Sequence, residues 1–399
     1  MTHVHANIIT VFRFNSQPTL PPAPTNFLAR DEIVTRSLDH FDRSVSLVLS
    51  GAVGIGKTAI ALSLLHHDRV KANFGGSRHF MRCDGLANRL KSFLEHLSGA
   101  IGLPPIGTME LLRPHLLARL SPLILVLDGV ECILDPLAVD SEEIATAIEE
   151  ISRYQKVCLL VTSRMAIDIP GFQTIEVPTL SADGAQDLLF SLCPLDRSPA
   201  ISGLIERLGF HPLSIILLAG VTRENSWDEP RLLREWNDIR TDALKLADNR
   251  SLATAIGSTL TAPTIQRLGP IAQQTLEAIA AFPDGVSRTR VERIFPTISG
   301  VGEVVDVLCK FYLVERRDGF VRVLLPFRSH FLQQALTIFH AREDDGNADH
   351  LAVEEEEHGP CQTARGGLFL IIRCGYDINA FQSPPCIYHW PWNVVEGSQ

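Results

Sequence analysis

The segment Gly51-Ala52-Val53-Gly54-Ile55-Gly56-Lys57-Thr58 fits the pattern G-x-x-x-x-G-K-[ST] in full. The chemistry available to such a stretch is anion binding. Its glycines let a loop wrap a phosphate without Cβ clashes, so main-chain N–H groups point inward. The amides of Val53, Ile55 and Ala59 belong to the same cradle as those of Gly51, Gly54 and Gly56. A helix starting at Lys57 would turn its positive end to the anion. Lys57 would reach the β- and γ-phosphates, and Thr58 would ligate Mg²⁺. These residues point to a purine nucleoside diphosphate or triphosphate together with Mg²⁺.

Leu123–Asp128 is a continuous apolar run that ends in a carboxylate. An acid at the C-terminal end of a buried strand beside the loop would hold the Mg²⁺ shell. The next residue is Gly129 rather than a second acid, so Glu131 is the nearest candidate for polarising an attacking water. A loop acid facing solvent is the other reading of Glu131, and spacing leaves both open. Arg164 follows Val161-Thr162-Ser163. A guanidinium there could reach a γ-phosphate and separate triphosphate from diphosphate, against the plainer reading of a capping or surface arginine.

These residues need a scaffold of alternating strands and helices. Residues 45–50 form a short apolar strand running into the Gly-rich turn, and Lys57–His66 carries Ile60, Ala61, Leu64 and Leu65 on one helical face. Strands are expected over 78–83, Leu123–Asp128, Val157–Ser163 and 174–177. Helices are expected over 31–41, 87–101, 109–120 and 141–154. This alternation predicts an α/β fold, a parallel sheet of the P-loop NTPase type with helices on both faces. From Ser181 onward helices follow one another, over 185–192, 201–208 and 214–219, with polar helical stretches in 225–248. A third pattern begins near Pro263. It has helices over 271–281, 291–295 and 304–312, and then a hairpin over 314–325 around Asp318-Gly319. Helices followed by a short hairpin describe a winged helix. The expected organisation is a Pro-rich flexible arm (1–26), a nucleotide-binding domain (27–180), a helical domain (181–262), a winged-helix domain (263–340) and an unassigned tail (341–399).

Composition narrows the partners. The chain has 399 residues, 45% hydrophobic and 21% charged, with a formal net charge of −10. That balance suits a globular protein and argues against general nucleic-acid binding, which needs a basic face. Eight cysteines are scattered with no C-x-x-C pair, several inside apolar runs such as Val157-Cys158-Leu159, so reduced thiols in a cytoplasmic protein are expected. No basic start followed by an apolar stretch marks a secretory leader, and no run approaches the roughly 20 apolar residues of a membrane span.

The ordered set of motifs resembles the NB-ARC/NACHT-like STAND NTPases, particularly the NOD-like proteins of filamentous fungi. It comprises the P-loop, Leu123–Asp128, Leu159-Leu160-Val161-Thr162-Ser163-Arg164, His211-Pro212-Leu213 and Ala281-Phe282-Pro283-Asp284-Gly285. The resemblance spans roughly residues 25–335. It implies that Pro212 packs against adenine and that Arg164 senses the γ-phosphate. It also implies a winged helix that closes over ADP and opens with ATP, and a homo-oligomer that forms with the exchange. Departures are present. The family's Gly-Arg before the first helix is Ala29-Arg30 here, which puts Arg30 beside an altered turn at the adenine pocket. The family's winged-helix His has no evident match in Leu325-Pro326-Phe327-Arg328-Ser329-His330. Family members carry an N-terminal effector and C-terminal repeats; neither is legible, as in a truncated member. The function implied is an intracellular signalling switch, in fungal self/non-self or defence responses, with slow ATP hydrolysis and unidentified protein partners. The alternatives are a nucleotide-dependent DNA-binding regulator using Arg288, Arg290 and Arg293, and a pseudo-ATPase that only binds nucleotide.

Overall fold

The computed structural model describes residues 20–239, 251–282, 285–287, 291, 300–317, 319–328 and 330–332. Most of the arm, the tail at 341–399, Pro283, Asp284, Arg288, Arg290 and Arg293 lie outside the described residues.

The first part is a three-layer α/β unit. Its strands are β1 (Leu47–Ser50), β2 (Arg78–Arg82), β3 (Leu123–Asp128), β4 (Val157–Ser163) and β5 (Gln173–Glu176), all parallel, in the order β2-β3-β4-β1-β5. The phosphate-loop strand β1 and the acid-bearing strand β3 are thus separated by β4. Continuous apolar runs in β3 and β4 follow from burial on both faces. In β3, Leu123, Leu125 and Leu127 enter one core with α4 (Leu90–Ala100), α5 (Met109–Leu117) and α6 (Ser141–Ser152). Ile124 and Val126 enter the other, with α1 (Asp31–Asp42), α2 (Lys57–His66) and α3 (Asp68–Phe74).

The second part is helical and then mixed. It comprises α7 (Ala182–Leu192), α8 (Pro199–Arg207), α9 (Pro212–Glu224), α10 (Glu229–Ile239), α11 (Leu252–Leu260), α12 (Pro263–Leu268) and α13 (Pro270–Ala280). After these come β6 (Val286–Ser287), α14 (Val301–Lys310), β7 (Val314–Arg317) and β8 (Phe320–Val323), with a three-stranded antiparallel sheet in the order β6-β8-β7. Ser181, Ser198, His211 and Ser251 each cap a helix with a side-chain acceptor, and Pro199 and Pro212 sit in first turns where no N–H is missed. One apolar cluster runs without a break from Leu180 through α7–α14 to Phe331, and it includes Ala52 and Val53 of the phosphate loop. No helix among the described residues is long and apolar enough to cross a membrane.

Several bounds differ from the sequence reading. The helix expected from residue 87 starts at Leu90, because Arg89 is extended. Helix α9 reaches from Pro212 to Glu224 rather than over 214–219, because Pro is compatible with its first turn and Thr222 is buried with its hydroxyl on Leu218 O. The short α3 and the two-residue β6 left no period to read; α3 is marked only by its ends, His67 accepting from Arg69 N and Gly75 at φ 55°.

The two parts are joined by buried polar bonds. Asp135, fully buried after β3, accepts from Thr264 Oγ1 (2.6 Å) and Thr264 N (3.2 Å), and from Leu137 N (2.9 Å). It caps α12 from a distant segment, since Ala262 offers that helix no side-chain cap. Asp135→Ala leaves these donors without their acceptor and is expected to destabilise the chain by about 2–4 kcal/mol. Urea denaturation measures this; a midpoint equal to wild type would refute the bridging role.

Candidate functional site

Residues 51–58 leave β1 at its C-terminal end and turn directly into α2. The turn needs left-handed backbone at Gly54 (φ 76°) and Gly56 (φ 101°), conformations that L side chains avoid. A Cβ at Gly54 would lie 2.7 Å from Leu213 Cδ2 and 2.9 Å from His211 Cε1, so the loop is closed from above by the start of α9. Leu213 N donates to Gly54 O (3.3 Å), and His211 Nε2 lies 3.0 Å from Val53 O. A Cβ at Gly56 would meet nothing, because that position opens onto a cavity of about 460 Å³.

Lys57 is buried, and its ammonium donates to Gly51 O (2.7 Å) and Ala52 O (2.8 Å). Burial pulls its pKa down to about 7; Glu131 and Asp128 oppose that and Arg164 adds to it. A cation held this far from water, at the mouth of a cradle of amides, fits a polyphosphate. Asp128 Oδ1 accepts from Thr58 Oγ1 (2.8 Å) and Thr162 Oγ1 (2.7 Å), and Thr162 Oγ1 in turn accepts from Gly129 N (2.9 Å). Asp128 Oδ2 accepts no hydrogen bond among the described residues. A hydroxyl and a carboxylate side by side are hard oxygen donors suited to Mg²⁺, and Thr58 and Asp128 are the residues that would hold it.

The structure brings Arg30, Val53, Gly54, Ile55, Gly56, Lys57, Thr58, Ala59, Asp128, Glu131, Arg164 and Pro212 to this one cavity. Gly51 stands apart from the lining, since its added Cβ would meet Val177 O at 3.0 Å; it contributes its carbonyl to Lys57. Glu131 and Arg164 are bound to each other. Arg164 Nε is 3.2 Å from Glu131 Oε1, and Arg164 N donates to Glu131 Oε2 (3.1 Å). Arg164 also donates to Ser258 Oγ of α11 (2.6 Å). Glu131 is therefore held by a cation, and Arg164 is anchored to another module. Gly129 adopts φ 77°, a left-handed turn into residues 130–132, which accounts for glycine where a second acid would stand. Arg30 spends its donors on Pro178 O (2.9 Å) and Ile55 O (3.0 Å), and burial lowers its pKa to about 10. It shapes the cavity wall by tying the loop after β5 to the phosphate loop.

Sequence reasoning named His211 only within a motif, and Thr162 and Tyr312 not as site residues. His211 is buried, contacts Ser214 through Nδ1 (3.1 Å) and meets Phe327 edge-on at 5.7 Å between centroids. Tyr312, at the start of the hairpin, places its hydroxyl 3.0 Å from Ser50 Oγ on β1. Pairing partners so distant in the chain leave no local trace.

Ala29, where the resembling family has Gly, sits at φ 55°. Left-handed backbone costs an alanine about 1–2 kcal/mol. Its Cβ lies 2.3 Å from where a Cβ on Gly184 would be. Gly184→Ala alone is expected to cost about 2–3 kcal/mol of stability, and Ala29→Gly in the same chain to restore most of it. A urea-denaturation cycle measures the coupling, and strict additivity would refute the contact.

No protein-family model matches the chain, and no curated protein matches its sequence. Solved structures do resemble it. A Walker-type ATPase of Pyrococcus abyssi superposes with TM-score 0.54 at 12% identity, covering 76% of this chain and 95% of that one. The fold is that of the P-loop NTPases. A STAND protein with a tetratricopeptide-repeat sensor from Pyrococcus horikoshii (TM-score 0.34, 14% identity, 91% of this chain and 50% of that one) is a looser likeness. So is the Drosophila ORC bound to DNA (0.41, 13%, 84% and 95%).

Proposed function

We propose that the chain is an ATP/ADP-binding molecular switch of the STAND kind, resembling NB-ARC and NOD-like proteins, that hydrolyses ATP slowly if at all. Arg30, Gly51–Ala59 and Pro212 form the nucleotide site, and Thr58 and Asp128 hold Mg²⁺. The observation that carries this reading is the closure of the phosphate loop by the next module, with Leu213 N on Gly54 O and His211 on Val53 O. Any rearrangement of that loop around phosphate is felt at α9, and through Phe327 at the segment beyond β8. Helices α12–α14 with the β6-β8-β7 sheet fit a winged helix acting as a lid, because Tyr312 and the Lys310 carbonyl bond to Ser50 and Ala166 of the α/β unit. A nucleotide-dependent change of packing would expose an oligomerisation surface for signalling, with defence or self/non-self recognition as the setting the resemblance suggests.

The nucleotide retained by purified protein, and the assembly size with ADP and with an ATP analogue, test this. Retained ADP and a larger assembly with the analogue are expected; a chain that binds neither would sink the reading. The pseudo-ATPase alternative is favoured by one observation, the pairing of Glu131 with Arg164, which occupies the candidate base. Single-turnover hydrolysis that vanishes in Lys57→Ala would count against it. A DNA-binding role has the net charge of −10 against it.

A further inference from the structure

One row of paired residues crosses the sheet at its C-terminal edge. Leu49 pairs with Thr162, Thr162 with Asp128, and Asp128 with Arg82. Residues paired across parallel strands stand about 4.8 Å apart and project from the same face. The Thr162–Asp128 hydrogen bond makes this explicit for the middle of the row. For Arg82 the alternation of β2 says the same: Met81 is buried in the core under α4–α6, whereas Phe80 packs on the α2 side. Arg82, two residues on, therefore shares the face of Asp128 and α2, and it lines the same cavity.

The other cations of this cavity are committed. Lys57 is bonded to two carbonyls, Arg30 to carbonyls of the wall, and Arg164 to Glu131 and Ser258. Arg82 is exposed and makes no hydrogen bond or ion pair among the described residues. It ends the edge strand, on the side of Asp128 away from β4 and β1. A phosphate chain that starts on the loop after β1 and runs past Thr58 and Asp128 comes to this guanidinium last. We propose that Arg82 contacts the terminal phosphate of a bound nucleoside triphosphate and sets the preference for triphosphate over diphosphate. This rests on the nucleotide-binding reading above. Engaging Arg82 breaks no existing bond, whereas Arg164 is already tied to Glu131 and Ser258.

The test is calorimetric titration of wild type, Arg82→Ala and Arg82→Lys with Mg·ADP and with the non-hydrolysable Mg·AMP-PNP. Arg82→Ala is expected to weaken AMP-PNP about tenfold or more while changing ADP less than about twofold. Arg82→Lys is expected to recover part of the loss as a point charge without the bidentate fork. Unchanged AMP-PNP affinity in Arg82→Ala, or equal loss of both nucleotides, overturns the assignment. A wild-type chain that binds neither nucleotide overturns the functional reading itself. Wild type binding both, with Arg82→Ala indistinguishable from it, overturns only the role of Arg82.

Discussion

Lys57→Ala is expected to lower the affinity for Mg·ADP and Mg·ATP by at least about 100-fold, the scale of removing one partner of a buried charge contact. The ammonium is pinned on Gly51 O and Ala52 O, and its pKa falls to about 7 because burial disfavours its charge. Its removal forfeits two hydrogen bonds of about 1 kcal/mol each but also relieves a desolvated cation. Stability without nucleotide should therefore change by only about 1 kcal/mol. Binding loss and folding loss then separate cleanly: calorimetry reads the first and a thermal melt the second. Affinity within a few-fold of wild type would mean that the glycine-rich loop holds no polyphosphate.

The second large effect is acid sensitivity at His211. Burial, with Lys57 and Arg30 nearby, lowers its pKa from 6.5 to about 4, partly offset by its bond to Val53 O. The neutral ring suits its place: Nε2–H donates to Val53 O, and Nδ1 accepts at the start of α9. A second proton would face the Ser214 N–H. Between pH 6.5 and 4 the unfolded chain binds more protons at this residue than the folded one, so stability decreases as the pH is lowered through that window. The contribution is complete above pH 6.5 and lost as pH drops toward 4, by about 3 kcal/mol in total. His211→Gln, which keeps a donor and an acceptor, should flatten this slope. Comparing wild type and variant by urea midpoint at pH 7, 5.5 and 4.5 isolates the residue from Glu277, whose buried carboxyl is shifted upward and works in the opposite direction. Equal slopes would remove His211 from the account.

Lys57 acts within the glycine-rich loop and His211 across to it from α9, and there the sequence and the tertiary structure divide the work. Local pattern carried the α/β part. The run Leu123–Asp128 must be buried on both faces, and the strand–glycine loop–helix order around Gly51–Thr58 follows from what a phosphate cradle requires. Helices at Ser181, Ser198 and Ser251 start on capping bonds within three residues, although the periodicity alone placed the first two starts at 185 and 201 and showed no helix over 252–260. Such features are short-range and can be read along the chain.

What the folded chain alone decided are the pairings between residues far apart. Asp135 with Thr264, Tyr312 with Ser50, Arg164 with Ser258 and His211 with Val53 join segments separated by well over a hundred positions in most cases. The order β2-β3-β4-β1-β5 placed Arg82 beside Asp128, although 45 residues separate them in the chain. Glu131, legible only as a free acid near a strand end, proved to be held by Arg164. A hydrogen bond depends on where two atoms are brought by packing of whole layers. Neither partner's neighbours in sequence record the other's presence.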